Sequence, residues 1–236
     1  MHSSTAERHA RFRLLRERSP VHFDADIGGW CITRYDDVLT VLGIDSGDPE
    51  PLPKRVIAHA VKLARPVITL STLEMLDADD CLFARSVAAT AAEAFTLAHG
   101  VEAFAASALA TTQAFLVNAL RALRDHPGQA ELLRTSPELA RDATEELLRF
   151  DTPIPVAPAR RTPHPVVLSG RTVEAGEVLV PVVAAANRCS VRFPGGDRLD
   201  LRRRPVGVLA ACPTSTALAR VTGEIALVRR LRAAAR

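Results

Sequence analysis

Glu146-Leu147-Leu148-Arg149 closes a helical stretch. It is followed in order by Arg160-Arg161-Thr162, by Leu168-Ser169-Gly170-Arg171-Thr172-Val173-Glu174-Ala175-Gly176-Glu177, by Ala184-Ala185-Ala186-Asn187-Arg188, and by Arg192-Phe193-Pro194-Gly195-Gly196-Asp197-Arg198-Leu199-Asp200-Leu201. A Glu and an Arg three residues apart share one helix face, so Glu146 and Arg149 can pair. Ser136-Pro137-Glu138 marks the start of that helix, with Pro in its first turn. Val166-Val167-Leu168 and Arg171-Thr172-Val173, joined by Ser169-Gly170, read as a hairpin. Residues 177–183 read as a strand, and Pro181, which has no amide N–H, argues for an edge position or a bulge.

Working outward, residues 5–18 read as a charged helix that Ser19-Pro20 stops. Val21-His22-Phe23 and Trp30-Cys31-Ile32-Thr33 read as two short strands around Gly28-Gly29. Asp36-Asp37 are expected to cap a short helix that ends at Gly43. Residues 54–70 give no clear pattern, because Pro66 interrupts any helix there. The pattern turns helical from about Asp80, with Gly100 as a break. Beyond it Phe104, Ala108, Thr111, Phe115, Leu116, Ala119 and Leu120 recur at helical spacing. A helix apolar on nearly every face belongs in a core, and His126-Pro127 ends it. Residues 217–233 return to helix. The expected class is mainly α with a small β portion, comprising a long core helix, the Glu146–Arg149 helix, a small sheet and a final long helix.

The chain has 236 residues, 47% of them hydrophobic, which is enough for a buried core over one domain, 1–236. No uncharged apolar run reaches about 18 residues, and the first turns are full of Arg and Glu. Neither a membrane span nor a secretory signal is expected, so a cytoplasmic setting is. A net charge of +3 gives no reason to expect nucleic acid as a partner. Lys54 and Lys62 are the only lysines among 30 basic residues, a bias that points to a GC-rich bacterial genome rather than to binding. Cys31, Cys81, Cys189 and Cys212 show no paired spacing, so neither a disulfide framework nor a metal site is expected.

The ordered series that begins at Glu146 resembles the C-terminal half of a bacterial cytochrome P450, the haem-thiolate monooxygenase family. Leu15-Arg16-Glu17-Arg18-Ser19-Pro20-Val21-His22 and Gly29-Trp30-Cys31-Ile32-Thr33-Arg34-Tyr35-Asp36-Asp37-Val38 resemble its opening strands and following helix. The resemblance implies a P450-like fold with Glu146, Arg149 and Arg198 as a structural triad of charges that must satisfy one another once buried. It also implies that helices of the family are missing between about residues 86 and 105.

Haem-thiolate chemistry needs a cysteine on iron, cations for the propionates and a proton relay beside the oxygen site. Seven residues, 211–217, separate Ala210 from Leu218, fewer than the family's ligand loop uses. Cys212 lies one position out of register, and Pro213 removes a backbone N–H. Thr111-Thr112 resembles the oxygen-activation motif, but Ala110 stands where its acid belongs and Ala108 where its Gly belongs. Arg85 resembles a propionate cation, as does Arg160 or Arg161, while Cys81 replaces a His. These losses led to an expectation of no cofactor and no catalysis. The resemblance then implies a haem-free auxiliary protein that binds and activates a partner enzyme, a glycosyltransferase of antibiotic biosynthesis, with the helix from Glu7 to Arg18 as a candidate docking face. Unroofed apolar helices made a homo-oligomer a further expectation. The alternative is a reduced haem-thiolate monooxygenase using Cys212.

Overall fold

The structure is a computed structural model, and it describes residues 5–44, 79–80, 82–89 and 102–234. The segment broken by Pro66, Cys81, and most of the stretch where missing helices were expected lie outside the described residues. The fold is mainly helical with small sheets. Its contacts divide between two compact units. One holds Met1–Pro49, Ile154–Arg198 and Gly207–Ala211, and the other Glu50–Pro153, Leu199–Val206 and Cys212–Arg236.

The first unit is built around a four-stranded sheet in the order β1-β2-β6-β3. Helix α1 (Thr5–Arg18) leads into β1 (Val21–Asp24), β2 (Gly29–Ile32) and α2 (Tyr35–Leu42). After β3 (Arg160–Arg161), the hairpin of β4 (Val166–Leu168) and β5 (Arg171–Val173) forms a separate two-stranded sheet. Strand β6 (Val178–Pro181) and the single-turn α7 (Val183–Ala186) complete the unit. β1 and β2 are antiparallel, β2 and β6 parallel, and β3 and β6 antiparallel. Ile32, Val38, Val173, Leu179, Val183 and Ala186 form its core, all fully buried.

Two expectations about this unit change. Pro181 ends an interior strand. The interior position is tolerated because β3 pairs only with Val178 and Leu179, so no ladder partner awaits an N–H at 181. Asp36 and Asp37 do not cap α2; they sit in its first turn, where the positive helix end favours carboxylates. Asp37 instead accepts a hydrogen bond from the Ser169 amide at 2.9 Å, anchoring the β4–β5 turn. Helix α1, read as a charged helix, is exposed over much of its length but not throughout. Arg16 is buried and donates to the Ala185 carbonyl at 3.1 Å and to Asp197 at 3.3 Å.

Tyr35 shows how the unit closes on its last segment. Its ring stacks edge-on against Phe193 with centroids 5.6 Å apart, and its hydroxyl donates to the Gly207 carbonyl at 2.6 Å. Removing the hydroxyl in Tyr35→Phe keeps the ring packing and leaves a carbonyl without its donor. Urea unfolding should show a loss of about 1 kcal/mol; an unchanged midpoint would mean that this bond holds nothing.

The second unit is helical. α3 (residues 82–89) buries Phe83, Ala84, Val87 and Ala88. α4 (Glu102–Asp125) is the long core helix, with Ala108, Phe115, Leu116, Ala119 and Leu123 buried. α5 (Pro127–Thr135) fills a stretch in which no helix was read, starting on Pro127 just after the expected break. A 3-10 turn, Pro137–Leu139, precedes α6 (Ala140–Phe150), so the Glu146–Arg149 helix begins in two steps. α8 (Pro213–Ala233) starts four residues earlier than read, with Pro213 in its first turn. Where α8 passes α4 and α6, a β-carbon on Gly223 would stand 2.6 Å from Phe115 Cε1 and 2.8 Å from Thr144 Cγ2. Glycine is required there for close approach.

Candidate functional site

Cys212 is the N-cap of α8, with extended backbone, and its carbonyl accepts from the Thr216 amide and hydroxyl. Of the three described cysteines, Cys31 and Cys189 are buried and Cys212 is half-buried. Cys212 thus stands at the N-terminal end of a 21-residue helix, the positive end of its dipole. Its sulfur lies 3.2 Å from Ser215 Oγ. Ser215 is fully buried, and its oxygen is 2.8 Å from Ser107 Oγ on α4, whose residue is exposed. Ser107 can therefore donate to Ser215 and Ser215 to the sulfur, a chain of hydroxyls that ends on Cys212. Sequence reading missed both serines. Ser215 carried a local signal, since it stands three residues after the N-cap, at capping-box spacing; Ser107, 108 residues away, carried none.

Other candidate residues fall at varied positions. On α4, Thr111 is buried and Ala110 exposed, so no carboxylate accompanies Thr111 at that point of the helix. The Thr112 hydroxyl is buried and, among the described residues, has no hydrogen-bond partner. Arg85 is exposed on α3, Arg160 half-buried on β3, and Arg161 exposed with its guanidinium donating to the Gly176 carbonyl. Burial, reinforced by the charge of Asp24 and offset in part by Arg11, pushes the Cys31 thiol up.

Glu146 and Arg149, both fully buried, form a two-point pair on α6, with Arg149 Nε and Nη2 donating to Glu146 at 2.7 and 2.8 Å. Glu146 also accepts from Arg203 Nε at 3.1 Å and from the Asp200 amide at 3.1 Å. Arg203 was missed because its partner lies 57 residues earlier. Arg198, the residue the resemblance assigned, is exposed and lies in the other compact unit.

No protein-family model matches the chain. Its sequence is 44% identical over 97 residues to a vitamin D(3) 25-hydroxylase of Pseudonocardia autotrophica, covering 41% of this chain and 24% of that protein. The chain thus matches about a quarter of that relative's length. A cytochrome P450 enzyme of Bacillus subtilis superposes with a TM-score of 0.75 at 19% identity, covering 95% of this chain and 91% of that one. P450BioI, solved in complex with an acyl carrier protein carrying hexadec-9Z-enoic acid, superposes with a TM-score of 0.75 at 17% identity, covering 97% and 91%.

These findings overturn the expectation of no cofactor. The relatives and structural neighbours are haem enzymes, which points to haem. Cys212, a half-buried thiol 3.2 Å from the Ser215 hydroxyl, is a side chain that could hold such a group at its iron. The chain is a sequence relative of the bacterial cytochromes P450 and has their fold.

Proposed function

We propose that the chain is a reduced haem-thiolate protein of the P450 type, in which Cys212 would hold the iron. The observation that carries this reading is the half-buried Cys212 thiol, held at the start of α8 by the Ser215 hydroxyl at 3.2 Å. Haem bound there would supply redox and oxygen chemistry. The chain's own residues would hold the sulfur: it stands at the N-cap of α8, 3.2 Å from the Ser215 hydroxyl, which in turn lies 2.8 Å from Ser107 Oγ. Thr111 has no neighbouring carboxylate at Ala110 to pass it a proton, so oxygenation by the family's relay would run slowly. Arg85, exposed on α3 in the same helical unit as Cys212, is the candidate propionate cation. A cytoplasmic setting, where thiols stay reduced, suits a cysteine in this role. Among the described residues no helix is long and apolar enough to cross a membrane.

The test is a haemin titration of the purified chain. One equivalent should bind with a Soret band of thiolate type, and Cys212→Ser should shift the band or abolish uptake. The same band in the Ser variant would reject Cys212 as the ligand.

A second reading is that the chain serves a partner enzyme, a glycosyltransferase of natural-product biosynthesis among the candidates. It is supported by the P450BioI complex, in which this fold accepts a protein partner. The exposed residues of α1, Arg11, Arg13, Leu14 and Arg18, are the candidate docking face. Co-purification that Arg11→Glu with Arg13→Glu disrupts would favour it; co-purification unaffected by that change would remove α1 from the reading.

A further inference from the structure

The β1–β2 hairpin places three metal-ligating side chains together. His22 and Cys31 are directly paired across the antiparallel ladder, so their side chains leave the same face. Asp24 lies two residues beyond His22 and projects from that face too. Phe23 and Trp30 occupy the opposite face, edge to face with centroids 5.5 Å apart, which keeps the hairpin from presenting the other register. One ligand atom from each of His22, Asp24 and Cys31 falls within 4.8 Å of the others; among the described residues this is the one such trio.

We propose that His22, Asp24 and Cys31 bind a zinc-class divalent metal ion, with a fourth coordination position open to the adjacent cavity. Imidazole, carboxylate and thiolate together suit Zn²⁺ or Co²⁺, and three protein ligands with one vacant position is the arrangement of reactive rather than purely structural zinc sites.

The surrounding bonds already orient two ligands. His22 Nδ1 lies 3.2 Å from the Ser19 carbonyl. Only a protonated Nδ1 is attractive there, so the lone pair belongs to Nε2, the arrangement in which a backbone carbonyl holds a metal-binding imidazole. Asp24 Oδ1 accepts from the Asp26 and Ile27 amides at 3.0 and 3.2 Å, which fixes the carboxylate and leaves Oδ2 for an ion. Cys31 is buried and held by pairing to His22 on one side and Val180 on the other. Tetrahedral bonds of about 2.0–2.3 Å bring ligand atoms to about 3.3–3.7 Å, so the site closes by roughly an ångström of rotation in the half-buried His22 and Asp24. As the S–metal bond forms, the Cys31 thiol gives its proton to solvent.

A cavity of about 300 Å³ adjoins the trio. Its other lining includes Arg11, Phe12, Leu15, Val180 and Val182. An apolar wall beside an open coordination position limits water access to a bound ion and leaves Arg11 as the charge facing an anionic fourth ligand. The site lies wholly in the sheet-containing unit and is independent of the haem reading.

The experiment is a Co²⁺ titration of chelator-stripped full-length chain followed by absorbance, then displacement with Zn²⁺. One equivalent should bind, giving a thiolate-to-cobalt charge-transfer band that Zn²⁺ removes. Cys31→Ser should abolish that band, and Cys212→Ser should retain it. His22→Gln and Asp24→Asn, both half-buried, should weaken binding by more than about tenfold while far-UV circular dichroism is unchanged. These two variants carry the test should Cys31→Ser fail to fold. A band that survives Cys31→Ser, a band lost with Cys212→Ser, unchanged affinity in the folded His22 and Asp24 variants, or no saturable binding would each overturn the proposal.

Discussion

Arg149→Ala should unfold much of this protein. Arg149 is the largest fully buried side chain described, and its two-point bond to Glu146, together with Arg203 and the Asp200 amide, leaves that carboxylate compensated. Truncating Arg149 keeps the Glu146 charge in a site with no exposure while removing its closest partner. Such breaks cost about 3–5 kcal/mol. Most domains have only about 5–15 kcal/mol in reserve, so the variant should express poorly and unfold at a much lower urea concentration. Glu146→Ala should also destabilise, because it takes from the buried Arg149 its two-point carboxylate partner. Arg149→Lys keeps the charge but loses the planar fork, and it should fall between wild type and Ala. A near-native urea midpoint for Arg149→Ala would mean that the pair is solvated in solution.

Gly223→Ala makes a prediction opposite to intrinsic preference. In an exposed helix the change stabilises by about 1 kcal/mol. Here the added β-carbon meets Phe115 at 2.6 Å and Thr144 at 2.8 Å, so α8 must move off α4 and α6. Overpacking of this kind costs about 1–3 kcal/mol, enough to outweigh the propensity gain. Phe115→Leu alone should destabilise by emptying part of the core, yet combined with Gly223→Ala it should recover stability, since the smaller side chain makes room. A thermal or urea series over both single variants and the pair checks this. Additive losses in the double variant would show that Phe115 is not the obstacle.

Local patterns carried most of what the sequence revealed. The Glu146–Arg149 pair is an i, i+3 relation on one helix, and the β4–β5 hairpin is joined by Ser169 at φ 45° and Gly170 at φ 78°, so both were legible. Helix α5 was hidden because His126-Pro127 stops one helix and also starts another, and Pro does either job equally well. Pairings distant in sequence were out of reach. Arg203 meets Glu146, Ser107 meets Ser215, and β2 lies parallel to β6 only once the chain has folded. The cysteines were judged by their spacing from one another, a test blind to His22 and Asp24. What brings those residues to Cys31 is strand register, which the unaligned sequence does not state. The eroded loop and the missing acid at Ala110 argue against haem, whereas the sequence relatives and structural neighbours point to it.

The most direct measurement of the central claim is the absorbance of the haemin-loaded chain after reduction under carbon monoxide, in wild type and in Cys212→Ser. The wild type should show the strongly red-shifted Soret band that an axial thiolate gives, and the Ser variant should lack it. A wild-type spectrum without that band, or an identical band in Cys212→Ser, would contradict ligation by Cys212.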